Sequence, residues 1–130
     1  MNAGLNLVSH RCGRLRSFRR RHLGSGFKAD QLEKMLAWIQ CFDLRFRKIY
    51  DTAIWGAPIE LFCEIAMTDR NHSPFAKTFF FGYSNGWLGY LPTKAWFAEG
   101  GYEPGTSPFS DRAEQDITET AIGFLQSMPR

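Results

Sequence analysis

The residues best suited to chemistry lie between Gly82 and Tyr102, where aromatic side chains accompany a glycine-rich loop. Eight aromatic residues fall between Phe79 and Phe97. Glycine lets the backbone approach a neighbouring chain or a ligand closely, so this loop could line a pocket for a long apolar ligand. A buried aromatic cluster with glycines at its turns would give the same pattern, and composition alone favours that interpretation.

Histidine and cysteine spacing argues against a metal or redox centre built from these residues within the chain. No HExxH pair, CxxC pair, P-loop, nucleophile elbow or dinucleotide fingerprint occurs. The residues concerned are His10, His22, His72, Cys12, Cys41 and Cys63. We therefore expect surface histidines and free, partly buried thiols.

Length and composition restrict the class of protein. The 130 residues allow one domain with one hydrophobic core, and 44% hydrophobic with 22% charged residues is a globular composition. Residues 78–93 carry no formal charge, but they contain Pro92 and three glycines, which a bilayer span of about 20 continuous apolar residues would not tolerate. We expect no transmembrane helix.

The net charge of +3 is unevenly distributed. Residues 1–28 hold seven Lys or Arg and no acid, whereas residues 29–130 hold nine Lys or Arg and thirteen acids. This predicts a basic, disordered arm and a mildly acidic folded part, for which no specific nucleic-acid partner is expected. The arm has three interpretations: an organellar transit peptide, a segment that contacts phosphates or an anionic membrane surface, or a sequence without a structural role that replaces missing upstream coding sequence.

The folded part reads as alternating helices and strands. Apolar periodicity predicts a helix over residues 30–39 and another over 59–67, the second with Pro58 before it. Residues 39–46 and 49–57 read as one or two strands, and residues 77–83 as a central strand covered on both faces.

The C-terminal third predicts two more helices. Thr93 should cap a short helix that extends to Ala98 and ends at the following glycines. Asp111 and Glu114 have the spacing of a capping pair for an amphipathic helix that reaches about Gln126. The expected class is α/β or α+β, a partial mixed sheet with short flanking helices.

Two segments of residues 39–128 resemble the neutral/alkaline non-lysosomal ceramidase family, in the C-terminal portion of its catalytic domain. The first is TAIWGAPIELF at 52–62, and the second is KTFFFGYSNGWLGYLPTKAWFAEGGYE at 77–103. The second is the more specific, because it contains in order an Asn loop, a Gly-Tyr step, a Thr and a Gly-Gly-Tyr-Glu ending. This resemblance implies that the chain is a fragment of a larger hydrolase domain.

The resemblance also implies chemistry for individual residues. Family members are zinc amidohydrolases that cleave the N-acyl bond of ceramide. Carried over, Glu60 and Tyr90 are zinc ligands, Tyr102 is an active-site tyrosine that holds or polarises the scissile amide, and Asn85 and Trp87 contact substrate. A first-turn carboxylate and amphipathic core aromatics are the structural alternatives for these residues.

The chain departs from the family in what it lacks. The family's two histidine ligands and its active-site serine region lie upstream, and His10 and His22 do not match them. One carboxylate and one phenol supply at most half of a tetrahedral zinc shell, so the resemblance predicts weak zinc binding and no ceramidase activity for the isolated chain. The loop sequence Gly-Trp-Leu-Gly-Tyr-Leu-Pro differs from the Tyr-x-Thr-Thr version in the family. The substrate of the parent enzyme is therefore either ceramide or another lipid amide.

Two further expectations concern partners. The alternative function is a stand-alone lipid or membrane-surface binding module with an aromatic pocket and an Arg-rich arm. A fragment should expose some of Phe79, Phe80, Phe81 and Trp87, and such a patch would promote self-association. Localisation is left open among secretion, membrane association and organellar import.

Overall fold

The fold is that of a computed structural model, in which residues 6–11 and 43–129 are described. Within these residues, ten elements follow one another. They are β1 (Asn6–Arg11), β2 (Asp43–Ile49), β3 (Thr52–Gly56), β4 (Glu60–Leu61), α1 (Cys63–His72), β5 (Lys77–Phe81), β6 (Tyr90–Leu91), α2 (Lys94–Glu99), α3 (Tyr102–Thr106) and α4 (Ala113–Ser127). The predicted mixed α/β class is confirmed.

A four-stranded mixed sheet in the order β1-β2-β3-β5 is the base of the fold. The β1/β2 and β2/β3 pairs are antiparallel, whereas β3 and β5 are parallel, so the chain crosses over between them through α1. Strand β1 lies within the stretch predicted as an arm. The other residues of that stretch, and the helix predicted over 30–39, lie outside the described residues.

One face of this sheet is buried against helices. Alternation along β2 and β3 turns Phe46 and Trp55 to the same side, where their rings lie 6.0 Å apart. Phe80 of β5 and Phe124 of α4 complete the aromatic layer, with centroids 4.5 Å from Trp55 and 4.2 Å from Phe46. The core therefore lies between the sheet and the helices.

The prediction for α4 is confirmed in its buried face and corrected in its cap. The residues Ala113, Ile117, Ala121 and Leu125 are all fully buried at a helical repeat. Arg112 occupies the N-cap position, with no side-chain cap. The carboxylate of Glu114 instead accepts a hydrogen bond from the backbone N–H of Lys94 at 2.6 Å, at the start of α2.

The helix predicted over 59–67 begins later, at Cys63. Residues Glu60 and Leu61 form β4, which pairs in parallel with β6. The Glu60 N–H donates to the Gly89 carbonyl at 3.0 Å, and the Phe62 N–H donates to the Leu91 carbonyl at 3.2 Å. These long-range bonds satisfy the backbone in an extended conformation, so a helix cannot start at Pro58.

Strand β5 also differs from its prediction. It stands at one end of the sheet among the described strands, and its outer face is uncovered, with Phe79 46% and Phe81 56% exposed. A continuous apolar run suits a covered central strand, but here only Phe80 and Thr78 point inward. Trp87 is also exposed. The prediction that some of Phe79, Phe80, Phe81 and Trp87 are exposed is therefore confirmed.

The described helices include none long and apolar enough to cross a membrane. The only cysteine in the described residues is Cys63, which is free and exposed, so the prediction of a partly buried thiol is wrong at this position. A hydrogen bond to Glu64 raises the pKa of the Cys63 thiol above its usual value.

Candidate functional site

Two short strands place Glu60 next to Tyr90. These residues are register partners in the β4/β6 pair, and partners on adjacent parallel strands project to the same face. The charge of the Glu60 carboxylate is the main cause that raises the pKa of the Tyr90 phenol, and burial, Tyr102 and Glu103 add to it. The two predicted metal ligands therefore lie together.

Local backbone geometry fixes β6 in this position. Gly89 has φ +113, and a Cβ there would stand 2.9 Å from Cδ of Pro108. The Leu88 N–H donates to the Pro58 carbonyl at 2.7 Å. Behind Tyr90, the buried hydroxyl of Ser107 donates to the Tyr90 carbonyl at 2.8 Å. These contacts explain why a glycine precedes the site tyrosine.

The rings of Tyr102 and Trp87 both contact the ring of Tyr90. The ring centroid of Tyr102 is 6.0 Å from that of Tyr90, and the centroid of Trp87 is 6.1 Å from it, both in edge-to-face contact. Tyr102 is the first residue of α3 and follows Gly100 and Gly101, whose positive φ angles let the chain turn back. The side chains of Tyr102 and Trp87 are 69% and 55% exposed, so the site is open.

Asn85 lies elsewhere. Its backbone is left-handed, with φ +64, and its side chain is exposed. It borders a cavity of about 370 Å³ together with Arg45, Arg47 and Phe81, and neither Glu60 nor Tyr90 lines that cavity. Of the five predicted site residues, the structure brings four together and separates Asn85.

Tyr83 is a site residue that the sequence did not single out. Its hydroxyl donates a hydrogen bond to Oε2 of Glu60. This bond is the main cause that raises the pKa of Tyr83 to about 12. The sequence offered no signal for it, because Tyr83 fell inside the strand predicted over 77–83 and spacing alone does not connect it with Glu60.

The described residues offer two neighbouring oxygen donors to a metal ion. The Glu60 carboxylate and the Tyr90 phenol are neighbouring oxygen donors, which fits two positions of a tetrahedral site. Within the part of the chain that the structure describes, no three His, Cys, Asp or Glu side chains are grouped so that they could hold a metal ion.

Comparison with solved structures finds two ceramidases. The neutral ceramidase from Pseudomonas aeruginosa matches with a TM-score of 0.56 and 20% identity, over 70% of this chain and 16% of that chain. A ceramidase complexed with C2 matches with a TM-score of 0.57 and 19% identity, over 69% and 16% of the two chains. The resemblance found in the sequence is thus confirmed in the fold.

The present chain spans about one sixth of the length of these ceramidases. No protein-family model matches it, and no curated protein sequence matches it.

Proposed function

We propose that residues 29–130 are the downstream portion of a zinc-dependent, ceramidase-like amidohydrolase that cleaves the N-acyl amide bond of ceramide or a similar lipid amide. The observation that carries the proposal is the pairing of Glu60 with Tyr90 on β4 and β6, within a fold similar to a segment of neutral ceramidase. Residues 1–28 are proposed to be a basic arm, of which Asn6–Arg11 adds strand β1 to the sheet.

Each side chain has a proposed role that follows from its position. Glu60 and Tyr90 supply two oxygen ligands, and a zinc ion bound there would supply Lewis-acid polarisation of the amide carbonyl and activation of water at neutral pH. Tyr102 is close enough to Tyr90 to orient the amide with its phenol. The exposed indole of Trp87 offers an apolar surface to the lipid chain. Asn85 remains a proposed substrate contact, through the cavity that it lines with Arg45 and Arg47.

The isolated chain is proposed to be inactive. Two oxygen ligands hold zinc weakly, and the phenol of Tyr90, whose pKa is raised by Glu60, does not ionise at neutral pH without a bound cation. Partners of the complete protein would be lipid amides and a membrane surface, and the exposed phenylalanines of β5 are proposed to support self-association.

The test combines the native polypeptide with the isolated chain. An antibody against residues 111–130 recovers the polypeptide from the source organism, which is weighed by mass spectrometry and assayed for chelator-sensitive hydrolysis of a fluorescent ceramide. We expect a species much heavier than 14.9 kDa with activity, and none for the purified 130-residue chain.

Substitution links that activity to the site. The full-length polypeptide is then expressed with single substitutions. Glu60→Gln should abolish hydrolysis, whereas Glu99→Gln, at the exposed end of α2, should leave it intact. Full activity of Glu60→Gln, or lipid binding without any hydrolysis by the native polypeptide, would refute the hydrolase proposal.

A further inference from the structure

Tyr83 makes its main polar contact with Glu60. The phenol reaches a carboxylate 23 positions away in sequence and donates to one of its two oxygens, Oε2. The Tyr83 ring is 57% exposed, so burial does not explain its position. The phenol therefore orients the Glu60 carboxylate through this hydrogen bond and adds little to the hydrophobic core.

The backbone holds Tyr83 in an unusual conformation for this contact. Its φ is +56, in the left-handed region that glycine enters easily and bulky residues avoid. The Tyr83 N–H donates to the carbonyl of Ile59 at 3.2 Å, one residue before Glu60. Conformations of this kind persist only where surrounding contacts impose them, and they concentrate at functional sites.

We propose that Tyr83 is a positioning residue for Glu60, which fixes the carboxylate so that only Oε1 is available to a cation. This inference rests on the proposed function, because it assigns Glu60 as a metal ligand. Carboxylates bind metal ions through one or both oxygens, and a hydrogen bond to one of them selects the first mode.

Tyr83 is the donor in this hydrogen bond, and Glu60 accepts it through Oε2. Tyr90 is instead the register partner of Glu60 on the neighbouring strand β6. The two tyrosines near Glu60 therefore have different roles: Tyr90 is a proposed ligand, and Tyr83 holds the Glu60 carboxylate.

The test measures metal affinity in this chain, without relying on turnover. Zn²⁺ binding to the parent, Tyr83→Phe and Glu60→Gln is measured by direct titration calorimetry, which suits the weak affinity expected of two ligands. Tyr50→Phe is the control because Tyr50 is 81% exposed in the β2–β3 turn. Tyr83→Phe should weaken binding by ~10- to 100-fold. Its Co²⁺ complex should show a changed visible spectrum, because both Glu60 oxygens become available.

A double-mutant cycle separates positioning from a general structural role. Glu60→Asp keeps the carboxylate but withdraws it from Tyr83, so adding Tyr83→Phe to Glu60→Asp should cost no further affinity. Additive losses in the cycle, or an unchanged affinity in Tyr83→Phe, would overturn the inference and leave the metal site intact. A parent that binds Zn²⁺ no better than Glu60→Gln would overturn the metal site, and the role of Tyr83 with it.

Discussion

At the scale of single residues, the carboxylate of Glu60 controls the acidity of two phenols. It accepts the hydrogen bond of Tyr83, and its charge is the main cause of the raised pKa of Tyr90. Both effects favour the protonated phenol. Removing the charge of Glu60 should therefore make both tyrosines more acidic.

We expect Glu60→Gln to lower the pKa of Tyr83 from about 12 towards the ordinary value of 10.0. The chain has four tyrosines, so an ultraviolet absorbance titration of tyrosinate follows them directly. Two of the four should shift in Glu60→Gln and none in Glu99→Gln. Identical titration curves for the parent and Glu60→Gln would show that the contact with Tyr83 does not form in solution.

A second residue, Asp69 of α1, predicts how stability depends on pH. Its side chain is fully buried, and neither carboxylate oxygen has a hydrogen-bond partner within the described residues. Burial raises the pKa of Asp69 from 3.8 to about 7. The native state thus keeps a proton that the unfolded chain releases, so stability falls as pH rises from about 4 to about 7 and is constant above.

Asp69→Asn should remove this contribution. Between pH 5 and pH 8, the parent should lose ~1–3 kcal/mol of unfolding free energy relative to the variant, measured by urea denaturation. Asp111→Asn, an exposed carboxylate, is the matched control and should follow the parent. If the parent and Asp69→Asn respond equally to pH, Asp69 is paired or hydrated in solution.

At the scale of elements, the β4/β6 pair carries the site although each strand has only two residues. Ser107 supports it from behind, since its hydroxyl donates to the Tyr90 carbonyl at 2.8 Å and accepts from the Phe109 N–H at 3.1 Å. Because Ser107 is fully buried, no water can replace these bonds easily.

Ser107→Ala should therefore destabilise the fold by ~1–3 kcal/mol and speed hydrogen exchange at the Glu60 and Phe62 amides, which bond to β6 and its flanks. Ser127→Ala removes a hydroxyl from an exposed helix end and should change neither quantity. Unaltered exchange in Ser107→Ala would mean that the strand pair holds itself without this support.

Sequence patterns predicted the long elements better than the short ones. The 3.6-residue repeat of α4 identifies its buried face because local periodicity and packing agree there. The same reasoning placed a helix at Pro58, where pairing with residues about 30 positions later determines the backbone instead. Thr93 was predictable as a cap, since the hydrogen bond to the Trp96 N–H is local.

The site follows the same division. Glu60, Tyr90 and Tyr102 were found through a resemblance, because no local rule connects a carboxylate and phenols from separate loops. Tyr83 was missed since its partner is distant in sequence. Asn85 was assigned through the same resemblance, but it lines a cavity that neither Glu60 nor Tyr90 lines.

At the scale of the whole molecule, the sheet has one covered and one open face. The buried core lies on the helical side, while Phe79 and Phe81 of β5 are exposed on the other. Arg45 and Arg47 of β2 share this open side in the strand alternation and keep it partly charged. A face with two exposed phenylalanines on an end strand favours association with a second copy.

We therefore expect the purified chain to form dimers or larger species as its concentration rises, and the double variant Phe79→Ser, Phe81→Ser to stay monomeric. Sedimentation velocity over a concentration series measures this directly. Tyr50→Ser removes another exposed aromatic from a turn and should associate like the parent. Because neither phenylalanine belongs to the buried core, the double variant should unfold at a temperature close to that of the parent. A parent that remains monomeric throughout would show that two phenylalanines beside two arginines are too small an apolar surface to hold copies together.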